Sequence, residues 1–123
     1  MNIASNINFF LGLQSQLKIM HWQTKGFARH TALGATYDAL DVLIDTFVEE
    51  AMGKYGRFKL DENTNQIQLF NLSELNVTDM VNKVCEALIQ YNQQFEETDT
   101  NLLNIRDEML GLFNKLKYLF TLE

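Results

Sequence analysis

The chain contains no proline, and its apolar residues recur at intervals of three and four rather than two. Proline breaks helices by removing a donor and crowding the preceding turn, whereas a three-to-four repeat lays one apolar stripe along a helix. Together these two features confine the chain to long α-helices packed on one another.

The repeat predicts four helices. The first runs from about Asn6 to Thr24 with Phe9, Phe10, Leu13, Leu17 and Met20 inward, and ends near Lys25-Gly26, with the glycine as C-cap. The second starts between Phe27 and Thr31 and reaches about Met52, ahead of Gly53. Its stripe is Leu33, Tyr37, Leu40, Ile44, Phe47 or Val48, and Ala51. Residues Lys59 to Asn76 are polar and lack a long period, so they read as a crossover. Within it "QIQLFNL" alternates briefly, as a short strand or a helical turn covering the bundle would. Asn76 or Thr78 caps a third helix with Val81, Val84, Cys85, Leu88, Ile89, Tyr91 or Asn92, and Phe95 inward, which "EETDT" ends. Asp99 or Thr100 caps a fourth through Leu119, carrying Leu102, Ile105, Met109, Leu112, Phe113, Leu116, Leu119 and Phe120.

Short, long, short connections imply an all-α, ferritin-like four-helix bundle with a long crossover between helices 2 and 3, which then run parallel. A helical hairpin pairing with a second chain is the rival arrangement. The 123 residues suit a single domain, residues 1–123, and 46% hydrophobic against 21% charged residues excludes a disordered chain. A net charge of -6 with no basic run excludes nucleic acid as the main partner. No apolar run approaches the roughly 18 residues of a spanning helix, and the N-terminus lacks a cleavable leader, so no membrane partner is expected. The single cysteine, Cys85, reads as a core residue and fits a reducing, cytoplasmic setting.

Chemistry concentrates in two places. "HWQTKGFARH" holds both histidines, His21 and His30, and the only tryptophan at the first helix corner. Along the second helix, Asp38, Asp41, Asp45 and Glu49 recur at three and four, so their carboxylates share one side, with His30 near the side of Asp41 and Asp45. An acidic stripe is also what a plain solvated face carries. This one, however, has no lysine or arginine within it and meets a histidine from helix one. Imidazole with carboxylate oxygens suits iron, manganese or zinc, and iron is the expectation. No Glu-x-x-His occurs, and helices three and four offer no histidine, so a complete diiron centre within one chain is not expected. Metal ligands would come from helices one and two, or from two subunits meeting there.

"LKIMHWQTKGFARH" followed by "YDALDVLIDTFVEEA" resembles the start of the Dps proteins, the miniferritins that oxidise iron between paired subunits of a hollow cage. The family's pattern matches at His21-Trp22, Lys25-Gly26, His30, Asp45 and Glu49. The resemblance implies a homo-oligomer, a dimer or larger, with His21, His30, Asp45 and Glu49 as metal ligands and Asp38 and Asp41 as additional ones. The two histidines stand closer together than in the family, Gly34 replaces the aspartate that follows its second histidine, and the basic tail is missing. A partial or vestigial inter-subunit site is therefore the expectation, with ferroxidase activity not favoured. The whole chain is also similar to short proteins of tailed phages in "HWQTKGFARH", "GKYGR" and "NLLNIRDEMLGLFNKLKYLFTL", which implies a phage origin and a place in the host cytoplasm or the virion.

Two other functions fit the residues. Trp22, Lys25 and Arg29 at one corner, with Lys54, Tyr55 and Arg57 in "GKYGRF", could bind a small phosphate-bearing ligand or nucleotide without catalysis. A virion or adaptor role would use exposed aromatics such as Phe9, Phe70, Tyr118 and Phe120.

Overall fold

The computed structural model describes residues 1–122. It has four helices, α1 (Ile3–Gln23), α2 (Phe27–Tyr55), α3 (Val77–Gln90) and α4 (Thr100–Leu119), with single 3-10 turns at Leu72–Glu74 and Tyr91–Gln93. No strand occurs among the described residues. The chain is thus all-α, and "QIQLFNL" forms extended chain leading into a helical turn.

Two of the helices, α1 and α3, start where an asparagine side chain satisfies one of their first free N–H groups. The Asn2 side chain accepts from the Ser5 N–H at 3.1 Å, so α1 begins earlier than its aromatic stripe indicates and buries Ile3, Ala4 and Ile7 as well. Asn76 accepts in the same way from the Asp79 N–H and starts α3. Two glycine assignments change. Gly26 keeps an extended backbone and precedes α2 as its N-cap, while α1 is closed by Thr24, whose N–H reaches the Met20 carbonyl. Gly53 lies inside α2, and the helix ends at Gly56, where φ is 89° and a side chain would be strained.

Directions follow from the contacts. Met1 to Ala4 lie beside Tyr55 to Lys59, so α1 and α2 form an antiparallel hairpin. The crossover then runs along α1 in the same direction as α1: Asn8 holds the carbonyls of Thr64 and Gln66, Gln16 binds both main-chain groups of Phe70, and Gln23 accepts from the Leu72 N–H. It reaches the α1–α2 corner, where Leu72, Asn76 and Thr78 neighbour Arg29. From there α3 returns, bringing Tyr91 onto Phe9 and Phe10. α4 starts beside the end of α2, with Asn101 on Glu50, and finishes with Phe120 under Arg29. Helices α2 and α3 are therefore parallel, as the long crossover requires.

The core is built from the predicted stripes. Phe10, Leu17, Met20, Leu40, Phe47, Val81, Leu88, Leu102, Phe113 and Leu116 are fully buried. Ile89 is the exception at 51% exposed, because α3 stops one residue later and Tyr91 takes the inward place against Phe9, Phe10 and Phe95. Arg106 is buried as well and donates to the Leu88 carbonyl at 2.9 Å, serving one of the free acceptors in the last turn of α3.

Asp99 sits at the N-cap of α4, but its side chain does not cap that helix. It is fully buried and accepts from Lys54 Nζ (2.6 Å), Tyr55 Oη (2.6 Å) and the Glu96 N–H (2.8 Å). Burial pushes the Asp99 pKa up, but these three donors outweigh it and hold the carboxyl below its ordinary value. Asp99→Asn should therefore lower the thermal midpoint at neutral pH by roughly 5 °C or more. A depressed carboxyl pKa contributes stability that is present above the unfolded value and lost as pH falls through the folded one. The gap between wild type and variant should accordingly shrink below about pH 4, as thermal melts across pH will show.

Candidate functional site

The corner between α1 and α2 is closed by its two histidines. His21 lies in the last turn of α1 and His30 in the first turns of α2, and their rings stack with centroids 3.8 Å apart and planes 18° from parallel. His21 Nδ1 lies 2.7 Å from the His30 carbonyl, and His30 Nδ1 lies 2.8 Å from the His21 carbonyl. A carbonyl oxygen only accepts, so each Nδ1 must carry a hydrogen and donate. In the neutral rings both Nε2 atoms then hold a lone pair, the form in which imidazole binds metal.

Gly34 makes this clasp possible. A Cβ at position 34 would stand 2.8 Å from His21 Cε1 and 3.1 Å from its Nδ1, closer than carbon atoms approach. The residue that the miniferritin pattern fills with an aspartate is here the space in which His21 lies against α2.

The four carboxylates of α2 are all exposed. Asp41 accepts from Gln14 Nε2 at 2.5 Å, which ties it to α1. Asp45 and Glu49 meet one turn apart. The neighbouring Asp45 carboxylate, one turn back on the same helix, raises the Glu49 pKa above its ordinary value. Fifteen residues separate His30 from Asp45, about 22 Å of helix rise, and the two differ by about 60° around the axis. The histidines and the Asp45–Glu49 pair thus share one side of α2 without meeting. Among the described residues no three histidine, cysteine or acidic side chains cluster closely enough to hold a metal.

The other candidate residues separate in the same way. Trp22 is 65% exposed, with Lys18 Nζ over its ring at 5.7 Å and over the Tyr37 ring at 4.4 Å. Lys25 is exposed, and the Arg29 guanidinium lies 4.9 Å over the Phe120 ring. At the far end of α2, Lys54 and Tyr55 are engaged by Asp99, whose hydrogen bonds raise the pKa of both, while Arg57 is exposed. Lys18 and Gln14 carry no signal in the sequence, and Asp99 reads there only as a helix cap, because the role of each depends on a partner from another helix. Gly34 carried a readable signal, since a glycine inside an unbroken helix marks a close approach.

Among the described residues no helix is long and apolar enough to cross a membrane. Residues 21–120 match a family described as a family of unknown function (DUF5856). The chain is 32% identical to the uncharacterized 14.6 kDa protein in the mobD-ri intergenic region of Enterobacteria phage T4, over 97% of this chain and 91% of that protein. No solved structure matches the chain.

The geometry at Gly34 predicts a reversal of sign. Gly34→Ala should destabilise the wild-type chain by displacing His21. In a His21→Ala background the same change should stabilise it by up to about 1 kcal/mol, the ordinary helix preference of alanine over glycine. Chemical denaturation of the four proteins in this cycle measures both terms.

Proposed function

The chain belongs to the DUF5856 family, and we propose that it is a Dps-like metal-binding protein that holds a divalent first-row ion, iron foremost, between two copies of itself. The observation that carries this reading is the division of the donor set on α2. The clasp leaves two imidazole Nε2 lone pairs at one end, and Asp45 lies on the same side about 22 Å away with Glu49 one turn beyond it. A two-fold axis near Tyr37 and Asp38 would set the histidines of one copy against the Asp45–Glu49 pair of the other, giving two equivalent sites.

The face around that axis supports pairing. Val42 is 65% exposed close to Asp45, and Leu11 and Trp22 of α1 expose apolar surface on the side that carries Lys18. Lys18, Lys25 and Arg29 lie toward the histidine end and Asp45 and Glu49 toward the other, so antiparallel copies would present opposite charges to each other. Asp38 lies near the axis, about 12 Å of helix rise from His30 and about 10 Å from Asp45, so it stands apart from both sites. Asp41 is held by Gln14.

The donor set fits a borderline cation: imidazole nitrogens with carboxylate oxygens. Parallel α2 and α3 joined by a long crossover also suit a ferritin-like bundle. Binding, not oxidative turnover, is the activity proposed. A phosphate-bearing ligand is the weaker reading, because Asp99 engages Lys54 and Tyr55. The phage relative supports a place in the host cytoplasm or the virion.

A complementation experiment tests both the ligands and their location. Wild type dialysed against Fe(II) or Zn(II) should take up stoichiometric metal, and His21→Ala/His30→Ala and Asp45→Ala/Glu49→Ala should each take up none. When the two variants are mixed, random pairing of copies should restore about a quarter of the wild-type sites. No uptake by wild type, or no restoration on mixing, would count against the reading.

A further inference from the structure

The crossover carries a feature that the metal reading does not use. Asn8 and Gln16 are separated by about 12 Å of helix rise, and the residues they hold, Gln66 and Phe70, are four apart, so this stretch is near full extension. In extended backbone the N–H and C=O of alternate residues point to opposite edges. Every main-chain group that α1 binds here belongs to an even-numbered residue: the carbonyls of Thr64, Gln66 and Phe70 and the N–H groups of Phe70 and Leu72. Gln68 is passed over because Gly12, with no side chain to reach it, stands opposite Ile67. The other edge, formed by Asn65, Ile67 and Leu69, makes no main-chain hydrogen bond among the described residues.

This edge is unguarded. Native exposed edges are usually blunted by lysine, proline or a bulge. Asn63 to Ser73 contains no charged residue and no proline, and Ile67 and Leu69 are each 43% exposed. We infer that the edge pairs with the same edge of a second copy, antiparallel and centred on Ile67.

In that register Ile67 exchanges both hydrogen bonds with its symmetry mate, Gln66 lies across from Gln68, and Asn65 from Leu69. A second copy is the occupant because the edge is self-complementary in this register, with no charged residue between Asn63 and Asn71 to set like charges across from each other. Because α1 already occupies the opposite edge, the pairing closes at two chains instead of growing into a fibre. The edge flanks α1 on the side away from α2, so it is independent of the proposed metal interface.

Sedimentation of the full chain with a chelator present, from micromolar to near-millimolar concentration, reads this pairing without metal. The expected result is concentration-dependent association that Leu69→Lys abolishes while leaving helicity unchanged. Hydrogen exchange of the wild type should show the Asn65, Ile67 and Leu69 amides gaining protection in the concentrated sample. A mass that stays at 14.3 kDa throughout would overturn the inference. So would association that survives Leu69→Lys but is lost in Val42→Glu, which would place the contact on the α1–α2 face.

Discussion

Three carboxamides of α1 determine how the two halves of this protein come together. With α2 and α3 parallel, residues 56–76 must travel the length of the bundle, and almost none of that path is buried. Apart from Ile67 against Gly12 and Leu72 and Leu75 against the core edge, this extended connection has little apolar surface with which to attach itself. Asn8, Gln16 and Gln23 supply the attachment by binding its main chain as a neighbouring strand would. A carboxamide both donates and accepts, so Gln16 alone satisfies the N–H and the carbonyl of Phe70. Together with Leu75 and Val77, which pack against the core, this fastening positions the start of α3.

The opposite end of the bundle is held by charge. Asp99 gathers Lys54, Tyr55 and the Glu96 N–H at the point where α2 ends and α4 begins. A buried carboxylate is tolerated only when its charge is answered, and here three donors answer it. The consequence is that α4 enters the bundle in a fixed register against α2, which the apolar stripes alone would permit to slide by a turn.

Much of the helical framework was legible because it depends on residues close together in sequence. The stripes, the Asn76 cap and the long crossover follow from spacing and composition. The errors have local causes too. Gly26 and Gly53 look like helix terminators, but a glycine ends a helix only where the chain needs a positive φ, and among the described residues that happens at Gly56 alone. The site was legible in its members and not in its arrangement. Spacing shows that His30, Asp45 and Glu49 share a side, whereas the histidine clasp, the Gln14–Asp41 bond and the Asp99 hub each join residues from different helices. No periodicity within one helix contains such pairs.

The clasp also limits what the corner can do. Because each Nδ1 is committed to the opposite carbonyl and Gly34 gives the rings their place, neither imidazole can turn to offer Nδ1 without opening the turn between α1 and α2. The two Nε2 atoms are therefore presented in a nearly fixed arrangement. Such rigidity favours a bound ion by lowering the ordering cost of its ligands. The shortened turn between the histidines thus works as a constraint on geometry, and the carboxylates reaching it from another α2 would have to adapt to the imidazoles, not the reverse.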